Sequence, residues 1–194
     1  MQGAIGNAVN EGNSRSNMYL AVLSGALVAM GFSTQSETVL LPFVATVFPA
    51  VFLMGALTVL RLVDISVESA MAYIAIARIR DRYRTLSEEA ADVFKKEMGR
   101  WPEGVSNPDL RLGAFFGYWT SAAAMVATID AFVGAGTLTL ILHLGLGWNL
   151  WIGLAVGAVF CASALSLFHQ YQKLRIAEND RVARDVAGIS PHYR

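Results

Sequence analysis

Two long stretches of the chain carry almost no charge. Between Arg15 and Arg61 the only charged residue is Glu37, and between Arg111 and Lys173 the only one is Asp130. Crossing about 30 Å of hydrocarbon at 1.5 Å per residue takes about 20 mostly apolar residues, so each stretch has room for two spanning helices. Each is also interrupted near its middle, the first by Ser33-Thr34-Gln35-Ser36-Glu37 and the second by a polar, Gly-rich run at 143–149. The pattern predicts an all-α polytopic membrane protein: two transmembrane helical hairpins, four spans, at 18–32, 38–60, 118–142 and 148–168. Tyr118 and Trp119 mark one boundary of the third span. Trp148 and Trp151 mark one end of the fourth, and Phe168, His169 and Tyr171 the other, as aromatic belts do at headgroup depth. The first span is the shortest, and its Ser24, Gly25, Ala26 and Ala29 suit a helix packed against neighbours. Pro42 falls near the start of the second span, where proline is tolerated, and Pro49 inside it is expected to kink the helix.

Composition narrows the function classes. Of 194 residues, 55% are hydrophobic and 15% charged, with 15 basic and 15 acidic groups cancelling. Soluble domains carry about 25% charged residues. A neutral chain with a mean hydropathy of +0.46 is neither a disordered tail nor a nucleic-acid binder with a basic face. A soluble helical bundle would need charged helix faces, which these stretches lack. One cysteine excludes an internal disulfide framework and multi-cysteine zinc sites, and the three histidines (His143, His169, His192) show no metal-ligand spacing. No cofactor or metal is expected. Motifs of hydrolases, metalloproteases, P-loop proteins and dinucleotide-binding proteins are missing, and one membrane carboxylate does not make an enzyme.

Lysine and arginine set the expected orientation. Arg15 precedes the first span, nine basic residues lie in 61–117, five follow the fourth span, and neither hairpin tip carries any. The positive-inside bias then places both termini and the middle segment in the cytoplasm, in a bacterial inner membrane. Five units follow: a cytoplasmic N-terminus at 1–17, a first hairpin at 18–60, a cytoplasmic stalk, short helix and loop at 61–117, a second hairpin at 118–168, and a C-terminal helix and tail at 169–194. Cleavage of the first apolar segment as a leader fits poorly, because a region with one Arg and one Glu makes a weak n-region. Residues 61–84 contain no Gly or Pro, so the second helix should run on as a stalk; the strand-like alternation at 74–80 is the rival reading. Ser87 or Thr85 can cap a short helix from Glu88 to about Met98. The fourth helix should continue to about Ala187, ended by Gly188 and Pro191.

Four groups of residues are candidates for function. Asp130, about midway along the third span, must face the bundle interior or water: either a proton or ion site, or a group bonded to Thr46, Ser163 or Ser166 on neighbouring helices. Arg61, Asp64 and Glu68 share one helical face at the cytoplasmic boundary, as a gate or as a salt-bridge face. Arg78, Arg80, Arg82 and Arg84 alternate along the stalk and suit anionic lipid, an anionic ligand or topogenic charge. Gly153, Gly157 and Cys161 form a small-residue seam, which packs helices within one chain or between copies.

The run Asn13-Ser14-Arg15-Ser16-Asn17-Met18-Tyr19-Leu20-Ala21-Val22-Leu23-Ser24-Gly25, with Ala77-Arg78-Ile79-Arg80-Asp81-Arg82-Tyr83, resembles small four-helix membrane proteins found in actinobacterial genomes. In general plan the chain is also similar to small membrane effectors of bacterial defence systems, which depolarise or permeabilise membranes. The resemblance implies a topology and carries no site residue with it. The expected function is an oligomeric membrane protein that forms or regulates an ion-conducting pathway, its stalks answering a cytoplasmic protein or anionic ligand. The alternative is a non-transporting scaffold or partner subunit.

Overall fold

A computed structural model describes residues 2–93 and 119–187. Those residues are helical and contain no strand, so the alternation at 74–80 belongs to a helix. In chain order the helices are α1 (Gln2–Ser33), α2 (Glu37–Arg84), α3 (Glu88–Val93), α4 (Ala122–Leu140) and α5 (Leu150–Ala187), with a π-helical turn at Ile141–Gly145. Four apolar segments are long enough to cross a membrane: Gly6–Ser33, Thr38–Ala72, Ala122–Gly145 and Leu150–Glu178.

α1 begins well before residue 18. Residues 2–17 contain no proline, and the Glu11–Arg15 pair, four residues apart and 3.0 Å in contact, supports a helix there. Gly12 also lets α1 approach α2 closely, since a Cβ would lie 3.3 Å from Leu62. α2 continues through Pro42 and Pro49 to Arg84, about 72 Å at 1.5 Å per residue. Ser87 caps α3 as expected, its hydroxyl accepting from the Ala90 amide at 3.1 Å. The expected extension of α3 through Phe94 to Met98, and the loop around Trp101 and Pro102, lie outside the described residues.

Residues 34–36 connect α1 to α2, and residues 146–149 connect α4 to α5. In the second connection Gly147 takes a φ of 67°, the left-handed conformation that glycine adopts at no steric cost. His143 Nδ1 donates to the Trp148 carbonyl at 2.8 Å, and Asn149 Oδ1 accepts from the Trp151 amide at 3.0 Å, starting α5. Ser121 starts α4 in the same way, accepting from the Ala124 amide.

α2 is the central helix. It packs against α1 on one side and α4 on another, touches α5 along part of its length, and α4 packs against α5. The core lies where α1, α2 and α4 meet, with Tyr19, Leu23, Val59, Val63, Ala123 and Val126 buried together. Outward faces stay apolar and exposed, at Phe32, Leu53, Phe132 and Trp151 among others. Surfaces of that kind suit lipid and are costly in water.

Candidate functional site

The centre of the three-helix core is polar. Asp130 on α4 is 4% exposed and Tyr19 on α1 is fully buried. The Tyr19 hydroxyl donates to Asp130 Oδ1 at 3.0 Å, joining residues 111 apart in sequence. α2 lies between these helices and yields at Gly55, where a Cβ would overlap the Asp130 carboxylate and sit 2.8 Å from the Tyr19 ring. The glycine is therefore a niche that lets a carboxyl and a phenol meet across a helix. A buried carboxyl needs such a donor, because leaving it without a hydrogen bond costs several kcal/mol.

The partners expected for Asp130 are not the ones it has. Thr46, Ser163 and Ser166 turn their hydroxyls back to their own helices, donating to the carbonyls of Pro42, Val159 and Ala162. Hydroxyls in helices often bond the carbonyl four residues back. Ser163 and Ser166 line a shallow groove on the outer side of α5 instead. Tyr19 is a functional residue that sequence reading missed: it is a polar tip in the apolar run of the first span, and nothing in the sequence pairs it with Asp130.

A second cluster ties three helices at their charged ends. Arg61 Nε and Nη2 donate to both carboxylate oxygens of Glu11 on α1, at 3.0 and 3.1 Å. Arg61 Nη1 reaches Glu68 at 3.3 Å, two turns along α2. Asp64 leaves this face and accepts from Arg175 of α5 at 2.6 Å, while Arg175 also holds Glu178 at 2.9 Å. Arg61, Asp64 and Glu68 thus divide between two clamps, α1 to α2 and α2 to α5. In this cluster Glu11 and Arg175 are the residues sequence reading missed; the only signals were the Glu11–Arg15 and Arg175–Glu178 spacings. Trp119 stacks on His169 nearby, with ring centroids 6.3 Å apart, joining the start of α4 to α5. Each of these contacts is solvent-accessible in part, so each separate ion pair contributes modestly.

The Gly153 and Gly157 seam is used inside the chain. A Cβ on Gly157 would lie 2.9 Å from the Ala135 carbonyl, and one on Gly153 would lie 3.4 Å from that of Thr139. The Thr139 hydroxyl, between them, donates to Ala135 and to Gly153 across the interface at 2.9 and 3.1 Å. Cys161 continues the seam as a half-buried free thiol. Gly136, by contrast, has open space around it.

On the stalk, Arg80 and Arg82 make no ion pair among the described residues. Arg84 has an interaction of its own, and the Arg78 side chain lies outside the described residues. No group of His, Cys, Asp and Glu among the described residues could hold a metal ion. No protein-family model, curated protein or solved structure matches this chain.

Proposed function

We propose that the chain is an oligomeric, multi-pass protein of a bacterial inner membrane that forms or regulates an ion-conducting pathway. In this reading its two hairpins span the bilayer with both termini in the cytoplasm. The observation that carries it is the Tyr19–Asp130 hydrogen bond, buried between helices apolar enough to cross a membrane. An ionisable side chain at such a position is expensive in lipid, and such groups mark ion or proton routes or the elements that control them.

The geometry supports a particular role. Asp130 is enclosed by α1, α2 and α4 of its own chain, so it acts as a latch between the two hairpins and not as a wall residue of a pore between copies. Breaking the latch releases α4 from α1 while the charged clamps still hold α1, α2 and α5 together. A two-position element of this kind is what gating requires.

Ion flux into liposomes containing the purified protein tests the proposal. Wild type is expected to conduct, with Tyr19→Phe and Asp130→Leu each changing the open fraction, and the double variant no worse than the stronger single. Inserted oligomer that passes no ions under any condition would select the scaffold reading. That reading is favoured by one further observation, the continuation of α2 to Arg84 through an arginine-bearing stretch that still exposes apolar residues such as Ile79.

A further inference from the structure

We propose that the far end of α2, with α3, is a contact surface for a second copy of this chain, in which the basic stalk of one copy meets the acidic α3 of its neighbour. The proposal rests on the membrane insertion argued above but not on conduction.

The charges at the two ends of the α2 extension behave differently. At its base, the described carboxylates near Arg61 and Arg175 are engaged: Glu11, Asp64, Glu68 and Glu178 all hold a guanidinium. At its tip, Arg80 and Arg82 on α2 and Glu88 and Glu89 on α3 make no ion pair among the described residues, although α3 packs directly against α2. Two cations, one on either flank of α2, and two anions on α3 thus lie near the tip with no ion pair among the described residues.

Between them the surface is apolar. Ile79 and Tyr83, one helical turn apart on α2, are exposed, as are Leu86 in the turn that follows and Val93 on α3. This stretch carries Arg80, Arg82 and Arg84 within five residues, too much charge for a bilayer core, so lipid is not the solvent that accounts for it. Exposed apolar residues flanked by unpaired charge, outside the bilayer, mark a surface that a protein covers.

The choice of occupant follows from geometry and sign. A bilayer holds every copy at one depth and in one direction, so the tip of one copy meets the tip of the next. Packing α2 directly on a neighbour's α2 along the Ile79–Tyr83 seam would set Arg80 and Arg82 beside the same residues of the other copy, and like charges there repel. Packing it on the neighbour's α3 sets them beside Glu88 and Glu89 and makes the contact attractive. Because each copy offers one basic and one acidic element, the surface is self-complementary.

The full-length protein in nanodiscs of zwitterionic lipid, with subunit number read by native mass spectrometry and by crosslinking, tests this. Wild type is expected to be oligomeric, and to shift toward monomer as salt rises. Arg80→Glu with Arg82→Glu, and separately Glu88→Lys with Glu89→Lys, should each give mostly monomer with unchanged helix content. Combining all four substitutions in one chain should restore the oligomer. Coexpressing the two double variants should give mixed oligomers, since an all-acidic tip then meets an all-basic one. An unaffected reversal variant would overturn the proposal, as would monomeric wild type. Restoration in the fourfold variant without mixed oligomers from coexpression would also overturn it, because the pairing would then lie within one chain. Membrane extraction of each variant, read separately, reports on insertion alone.

Discussion

A carboxyl group among apolar helices has to find a donor, and for Asp130 the donor is the phenol of Tyr19 at 3.0 Å. Removing only that hydroxyl, in Tyr19→Phe, is expected to lower stability by about 0.5–2 kcal/mol, the range for interhelical hydrogen bonds in membrane proteins and for buried ones generally. Thermal unfolding in detergent measures it. Asp130→Asn keeps an oxygen to accept the bond and should lose less than Asp130→Leu. Gly55→Ala should cost more than its one methyl suggests, about 1–3 kcal/mol, since the added Cβ overlaps the carboxylate and presses on the Tyr19 ring. Equal stability of Gly55→Ala and wild type would show that the niche is not closed. Sequence reading could place Asp130 in the interior, because the cost of its charge in lipid is a property of one residue. It could not find Tyr19, because helical periodicity gives the face a residue occupies and says nothing of which residue, 111 positions away, stands opposite.

At the scale of elements, the long helices were the most legible part of the fold. The absence of Gly and Pro from 61–84 predicted the α2 extension, and α2 does run to Arg84. The fourth helix was expected to continue well past its span, and α5 does run helical to Ala187; the breakers Gly188 and Pro191 lie outside the described residues. The start of α1 was not legible, since Gly3, Gly6 and Gly12 weaken a helix locally; the Glu11–Arg15 pair and the contact of Gly12 with Leu62 of α2 support it. The seam of small residues was legible as a seam and not as an address; contact with Ala135 and Thr139 decides that it closes α4 against α5. Gly157→Ala is therefore expected to destabilise the α4–α5 pair by about 1–3 kcal/mol. Gly136→Ala, where nothing lies within 4 Å, should be neutral or slightly stabilising through helix propensity. If the two substitutions have the same effect on detergent unfolding, the assignment of the seam to the chain interior is wrong.

For the whole molecule, the proposed topology puts both reversals on one face of the membrane and α3 on the other. In a Cys161→Ser background, which removes the chain's one cysteine, Gln35→Cys and Asn149→Cys should both react with a membrane-impermeant maleimide from outside the cell. Ser87→Cys should react only after permeabilisation. Labelling of Gln35→Cys and Asn149→Cys from opposite sides would break the two-hairpin arrangement. The two clamps add a second expectation at this scale. Glu11→Gln should loosen α1 without releasing α5, because Arg175 holds Asp64 independently of Arg61. Proteolytic sensitivity of the two chain ends, compared in one sample, separates these outcomes.

The long reach between Tyr19 and Asp130 also constrains how the protein is made. Ribosomes add about 5–20 residues per second, so the phenol leaves the exit tunnel roughly 5 to 20 s before the carboxyl it will meet. For a chain inserted as proposed, α1 and α2 must wait beside the insertion site through that interval, with the Gly55 gap facing the place where α4 will arrive. Anything that lets the first pair drift away in the meantime delivers Asp130 to lipid with no donor waiting, and quality control would meet the protein at that moment.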